Sequence, residues 1–474
     1  MLGALEGWVE GLDEAGVQVR GDEAGQAPDL VVASAGDAAR AAALGASSVL
    51  LEGRGRSRPL RRRYPVVERF LPVPSVEEPV LLVPLGHDRA LRYAIGNWSL
   101  AQGLRRRVRN RLARSRPLRA ALPTLRPLVT TASLEPGPPL MVGAARAAGV
   151  EDVGEWFLTF GSADALTRGV FHVFPAGATE PAWALKFARV RGFTAPFDRD
   201  ASGLAVAAGG GDAVRARAPR LLGRFEVDGL PASVETAAVG ARLTHLLLGR
   251  ASRADKERAI DAVAAWTLDV ARSTRREPDE LAPERRRLAE EVVPRWHDRG
   301  VPAGLVDRVG SVPAVLQHND LGSWNIVARS PSEFTAVDWE SARAVGLPLW
   351  DLVYFLADAL THLDGASTGV DRRDEHNLRL FRGELPSSGI LFRWLRRTVE
   401  ALAIPDESVG LIVTLCWLHH GLSGVARRAT ADLHTPGDAA AELADAERIA
   451  RLWLRGDGLG PSWPAWQRGR AAAL

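Results

Sequence analysis

Residues 315–340 read VLQHNDLGSWNIVARSPSEFTAVDWE, and no other stretch constrains this chain as strongly. VLQ is a short strand that feeds a polar loop. NIVAR and FTAVD are two further strands, and SPSE at 330–333 is the turn cluster between them. Folded as a hairpin with a four-residue loop, the stretch pairs Arg329 with Phe334, Ile326 with Val337 and Asn325 with Asp338. The segment HNDLGSW then brings Asp320 back to the same end. Two carboxylates and a carboxamide converge between apolar strands. Hard oxygen donors in this grouping suit Mg²⁺, which takes one or two carboxylates plus substrate phosphates. They do not suit zinc, because His318 is the only local imidazole and no second His or Cys stands at ligand spacing.

The chain has 474 residues, too many for one ordinary core, so two or three domains are expected. Its 46% hydrophobic and 25% charged residues are those of a soluble globular protein. A net charge of +3 gives no reason to expect nucleic acid as a partner. Cys416 is the single cysteine, which excludes an internal disulfide and fits a reducing compartment. The opening MLGALEGWVEGLDE has no basic segment and turns acidic early, so the expected location is cytoplasmic. The apolar run Val409–Leu418 is too short to span a bilayer.

Residues 1–140 read as a small α/β domain. DLVVAS (29–34), SVLL (48–51) and PVLLVPL (79–85) are strand candidates, and Ala38–Leu44 is a helix candidate, a spacing that suggests a Rossmann-like piece. The Gly-rich turn of a dinucleotide site is missing, so Glu52 at a strand end is read as a solvated residue. Nine arginines lie between Arg105 and Arg126, and no acid occurs between Asp88 and Glu135. Leu104, Val108 and Leu112 recur at helical spacing, so 104–126 reads as a solvated basic helix packed on its own domain. Contact with an anionic membrane or polymer through Arg105–Arg126 is the competing reading. Residues 150–242 look like antiparallel strands, and 243–474 look mostly helical around the hairpin 315–340.

The pattern His318-x-Asp320-x-x-x-x-Asn325, followed by a strand ending in Asp338-Trp339-Glu340, resembles the aminoglycoside phosphotransferase and choline kinase-like family. The next segment, GLPLWDLVYFL, resembles it too, with Gly346, Pro348 and Asp351 opening a helix. The likeness covers roughly 150–460 and is specific at 315–355. It implies an α+β, two-lobed protein-kinase-like fold, here preceded by the α/β domain: a nucleotide-binding lobe at 150–242 and a helical lobe at 243–474.

The resemblance also implies ATP and Mg²⁺ as cofactors and a hydroxyl-bearing small molecule as substrate. Asp320 would orient the acceptor hydroxyl, and Asn325 and Asp338 would hold Mg²⁺. Glu340 would approach a second metal or buttress the loop. His318 would support the catalytic loop, with proton transfer as the lesser reading, and Asp351 would cap its helix or fix that loop. In the family a strand lysine contacts the phosphates and pairs with an acid on a following helix. Of 60 lysines and arginines only Lys186 and Lys256 are lysine, and Lys186 sits inside the apolar strand WALKFA. A compact ammonium suits phosphate from a buried strand, where a forked guanidinium would misplace it. The acid would be Asp198 or, preferably, Asp200. Gly161 and Ser162 would cover the phosphates with backbone N–H groups, and Glu235–Ala237 would form the adenine-reading hinge. From residue 351 onward 16 acids face 14 arginines, which disfavours a strongly polycationic acceptor. A kinase of small-molecule alcohols is therefore expected, with an inactive nucleotide-binding scaffold as the alternative.

Overall fold

The computed structural model describes residues 17–20, 30–34, 48–53, 58–74, 79–99, 108, 110–112, 114–115, 128–133, 138–160, 168–366 and 370–429. It divides into two compact units: Met1–Thr194 with Leu221–Val239, and Ala195–Arg220 with Gly240–Leu474.

The first unit is built on β1 (Val17–Arg20), β2 (Leu30–Ser34), β3 (Ser48–Gly53), β4 (Val66–Pro74), β5 (Pro79–Pro84), β6 (Leu128–Ser133), β7 (Val153–Phe160), β8 (Gly169–Pro175), β9 (Trp183–Phe187), β10 (Leu221–Val227) and β11 (Leu230–Thr236). These strands form one sheet in the order β1-β2-β3-β6-β4-β5-β7-β8-β9-β11-β10. The parallel β2–β3 pair fits the strand–helix–strand spacing read from the sequence, although the helix expected at Ala38–Leu44 lies outside the described residues. Antiparallel β1 and β6 flank that pair, so the neighbourhood is a mixed sheet and not the doubly wound parallel one of a Rossmann-like domain. Leu81 and Leu82 pair with Thr159 and Leu158, which runs residues 1–140 and 150–242 into a single sheet.

At β4, β5, β7 and β8 both faces of this sheet are covered, and adjacent residues serve opposite sides. Phe70, Leu82 and Trp156 enter one core, while Leu71, Leu81 and Phe157 enter the other. The second core is completed by α1 (Asp88–Asn97), whose N-terminal N–H groups at Arg89 and Ala90 donate to the Glu155 carboxylate at 2.7 and 2.8 Å. Of the basic segment, Asn110 is buried and Leu112 packs on this core. Most of 104–126 lies outside the described residues.

The second unit contains α2 (Ala195–Gly209), β12 (Ala241–Arg242), α3 (Arg253–Ser273), β13 (Val315–Gln317), β14 (Ile326–Ala328), β15 (Phe334–Ala336), β16 (Arg343–Gly346), α4 (Trp350–Leu363), α5 (Val370–Phe381), α6 (Ser388–Leu402) and α7 (Asp406–Ala429). Its strands form two small ladders, β12-β14-β15 and β13-β16, among the helices. Mixed antiparallel sheet and helix is the content expected of a kinase-like chain. Among the described residues no single helix is long and apolar enough to cross a membrane.

The hairpin register differs by one from the sequence expectation. Ile326 pairs with Ala336 and Ala328 with Phe334. The Arg329 N–H donates to Glu333 O at 2.9 Å, closing a loop of Ser330, Pro331 and Ser332 instead of the expected four residues. Asn325 therefore meets Val337, not Asp338, through the Val337 N–H to Asn325 O bond of 2.8 Å. The shift does not carry Asp338 away, because its backbone turns left-handed at φ 67° and ψ 60° immediately beyond that bond.

Candidate active site

The loop after β13 is held from below by one helix. The Asp351 carboxylate, in the first turn of α4, accepts from the His318 N–H at 2.7 Å and the Asn319 N–H at 2.8 Å. One turn of loop later the Ser323 N–H donates to Asp358 of the same helix at 2.9 Å, and the Ser323 hydroxyl meets that of Thr244 at 2.8 Å. Asn319 takes a left-handed backbone at φ 63°, a conformation asparagine tolerates better than most residues. Removal from water raises the Asp351 pKa to about 6, although both backbone donors pull the other way.

Inside the loop the Asn325 side chain reaches back. Its Nδ2 donates to Asp320 O at 2.8 Å and to Asp320 Oδ2 at 3.1 Å, fixing the carboxylate. Asp338 follows the residue bonded to Asn325, so Asp320, Asn325 and Asp338 gather within one loop-and-hairpin unit. Arg242 of β12 feels the Asp338 charge: burial lowers its pKa and Asp338 opposes that shift. Glu340 faces Arg199 of α2 at 3.8 Å. Gly203 makes the approach of α2 possible, since a Cβ there would run into the carbonyl of Trp339.

His318 is buried, and its Nε2 lies 3.0 Å from Val337 O. A carbonyl only accepts, so Nε2 carries the proton and Nδ1 is the acceptor. Desolvation lowers the His318 pKa to about 4, against the pull of Val337 O and Asp338. The ring is thus neutral at physiological pH and packs on Trp339 at 4.6 Å, tying the loop to the turn that follows Asp338.

Residues 197–383 match the model of the phosphotransferase enzyme family, APH. This chain carries a phosphotransferase-family domain. Similar solved structures include an aminoglycoside-3'-phosphotransferase of type VIII, at 19% identity over 54% of this chain and 98% of that one, with a TM-score of 0.31. The bifunctional kinase-methyltransferase WbdD is also similar, at 12% identity over 81% of this chain and 70% of that one, with a TM-score of 0.27. No curated protein sequence matches the chain.

The match includes every residue singled out at 315–340. Outside it, in the first unit, Lys186 stands mid-strand in β9 and is buried, with Nζ 3.0 Å from Glu235 Oε1. Lys186 is opposite Ser233 in the β9–β11 register and Glu235 is two residues on, so the pair shares a sheet face. The acid that pairs with the ammonium on the neighbouring strand is Glu235, which lies in β11. Asp200 lies buried on α2 in the second unit. The Ala237 N–H donates to Ala182 O at 2.9 Å, so only its carbonyl remains to read a base. Gly161 and Ser162 lie outside the described residues.

Sequence reasoning missed two features around the loop. Asp358 is one, and its signal was the seven-residue spacing from Asp351 along an apolar helix. The other is an aromatic cluster beside the loop. His420 stacks on Tyr354 at 3.8 Å, Trp324 meets Tyr354 edge-on at 5.9 Å, and Asn319 Nδ2 donates to His419 Nε2 at 3.1 Å. His419 in turn stacks on Trp350 at 5.2 Å. Among the described residues no three His, Cys, Asp or Glu side chains form a metal cage.

Proposed function

We propose that the chain is an ATP- and Mg²⁺-dependent phosphotransferase that moves the γ-phosphoryl group to a hydroxyl of a small molecule: a sugar, an amino alcohol or an aminoglycoside-like alcohol. The observation that carries this reading is the Asp320 carboxylate, fixed by the Asn325 amide at 3.1 Å in a loop clamped by Asp351 and Asp358. A base held so firmly is suited to orienting a hydroxyl, because phosphoryl transfer depends mainly on positioning and charge stabilisation. The hydroxyl oxygen attacks the γ-phosphorus, the bond to the β-bridging oxygen breaks, ADP leaves, and the hydroxyl proton passes to Asp320 and on to water.

The donor set fits Mg²⁺. Asn325 spends its Nδ2 on Asp320, leaving Oδ1 as its free donor oxygen, and Asp338 adds a carboxylate. Asn325 and Asp338 would hold the ion, with substrate phosphates completing its shell. When bound it would neutralise phosphate charge. Glu340 facing Arg199 supports the buttressing role over a second-metal role. His318, neutral and bonded to Val337 O, supports the loop and moves no proton. Lys186, oriented by Glu235, would contact nucleotide phosphates. The cytoplasm remains the proposed location, on the single cysteine and the demand for ATP.

The test is ADP release from Mg-ATP with a panel of sugars, polyols and amino alcohols. Turnover with at least one acceptor, abolished in Asp320→Asn while nucleotide binding persists, supports the proposal. Nucleotide binding without turnover on any acceptor sinks it in favour of a scaffold.

A further inference from the structure

Behind the catalytic loop lies a cavity of about 20 Å³ whose walls are contributed by α3, β13, α4, α6 and the Trp339 turn. Most of this wall is apolar: Trp266, Val270, Leu316, Trp339 and Leu352 are all buried. Three polar atoms on lining residues break the pattern. His318 Nδ1, Gln317 Oε1 and Thr398 Oγ1 are buried and have no hydrogen-bond partner among the described residues. Leaving one such atom unsatisfied costs roughly 1–3 kcal/mol, so three around one cavity call for a common partner.

The donor count identifies that partner. His318 Nε2 donates to Val337 O, so Nδ1 offers a lone pair. Gln317 Nε2 donates to Leu347 O at 2.7 Å, so Oε1 is an acceptor as well. The Thr398 hydroxyl is the one group of the three with a proton to give. Two acceptors and one donor are the complement of one water molecule, which has two protons and accepts through oxygen. The volume suits it, since about 10–15 Å³ of this measure holds a water. A cation fits worse, because the one carboxylate on the wall, Asp351, already accepts two backbone N–H groups and the rest of the wall is mostly apolar.

We propose that this cavity binds one ordered water that donates to His318 Nδ1 and Gln317 Oε1 and accepts from the Thr398 hydroxyl. Thr398 of α6 is then a positioning residue. It acts through water on His318, which bonds Val337 beside Asp338 and lies two residues before Asp320. The kinetic consequence rests on the phosphotransferase reading, whereas the water does not.

Two sets of measurements separate the parts. A crystal structure of the wild-type protein at about 1.5 Å is expected to show one density peak within hydrogen-bond distance of all three atoms. Histidine side-chain ¹⁵N spectra are expected to show the His318 Nδ1 signal moving toward that of an unbonded nitrogen in Thr398→Val and returning in Thr398→Ser. In a turnover assay Thr398→Val should lower kcat about fivefold with KM for ATP unchanged, as loss of one hydrogen bond predicts. No density, a cation in place of water, or a His318 signal indifferent to Thr398→Val overturns the proposal whether or not turnover is detected. Should Thr398→Val fail to fold, the wild-type density and the Thr398→Ser spectrum decide alone.

Discussion

Asp351 and Asp358 stand seven residues apart on α4, and each accepts backbone N–H groups from the loop between β13 and β14. Asp351 takes the N–H groups of His318 and Asn319, and Asp358 takes that of Ser323, so Asp320 is bracketed by two anchored points. Seven residues are nearly two helical turns, which puts both carboxylates on one face. Hydrogen bonds to charged groups are worth about 1.5–3 kcal/mol each. Asp351→Asn is expected to lower kcat by about tenfold or more and to reduce stability by about 2 kcal/mol. Asp358→Asn should do less, because it has one backbone donor instead of two. Steady-state kinetics and urea denaturation of both variants test this, and unchanged kcat in Asp351→Asn would show that the clamp is irrelevant to turnover.

Gly203 sets how closely α2 lies to the Trp339–Ser341 turn. A methyl group there would overlap the Trp339 carbonyl, and that carbonyl accepts the Ala342 N–H at 2.9 Å, so the turn cannot yield freely. Gly203→Ala is expected to destabilise the fold by about 1–3 kcal/mol, the usual cost of overpacking, despite the better helix propensity of alanine. A calorimetric Tm equal to or above that of the wild type would contradict the close approach.

Stability should depend on pH in a stated direction. Burial lowers His318 from 6.5 to about 4 and His420 to about 3, and holds His419 well below 6.5. The folded protein thus binds fewer protons at these sites than the unfolded chain, so their contribution is complete above pH 6.5 and is lost as pH falls through the folded values. Asp351 opposes this. Its pKa rises from 3.8 to about 6, so the folded form holds more protons in that window and its contribution declines as pH rises through it. Three histidines outweigh one aspartate. Tm is expected to climb from pH 4 to 6.5 and then level, with a shallower climb in His318→Gln and a steeper one in Asp351→Asn. A Tm that falls across this range would refute the assignment.

The gathering of Asp320, Asn325 and Asp338 was legible in the sequence because these residues are local. Asp320, Asn325 and Asp338 lie within nineteen residues, and strand alternation was enough to gather them. The register came out one residue away because loops of three and four residues are both compatible with SPSE, and the choice was made by the Arg329–Glu333 bond. Gly203 gave no sign of its role, since only the tertiary approach of α2 to a turn more than a hundred residues away requires it. The mixed sheet of the first unit was unreadable for a related reason: strand-and-helix spacing identifies β2 and β3 but not the neighbours that pair with them.

The Lys186–Glu235 pair is the clearest case of a non-local partner, and it makes the sharpest prediction. The two residues are 49 apart in sequence, on adjacent antiparallel strands that bring the ammonium to 3.0 Å from the carboxylate. Both are buried, so removing one charge breaks a buried ion pair, a change that typically costs about 3–5 kcal/mol. Glu235→Gln should therefore unfold at markedly lower denaturant than the wild type, and Lys186→Met combined with Glu235→Gln should recover part of the loss. Recovery is expected for stability only. If Lys186 serves nucleotide phosphates, the double variant regains its fold and still binds ATP at least tenfold more weakly, as does Lys186→Arg, whose guanidinium is too wide for the same place. Denaturation and ATP titration of the four proteins decide the matter. Full ATP affinity in a folded double variant would make the pair purely structural.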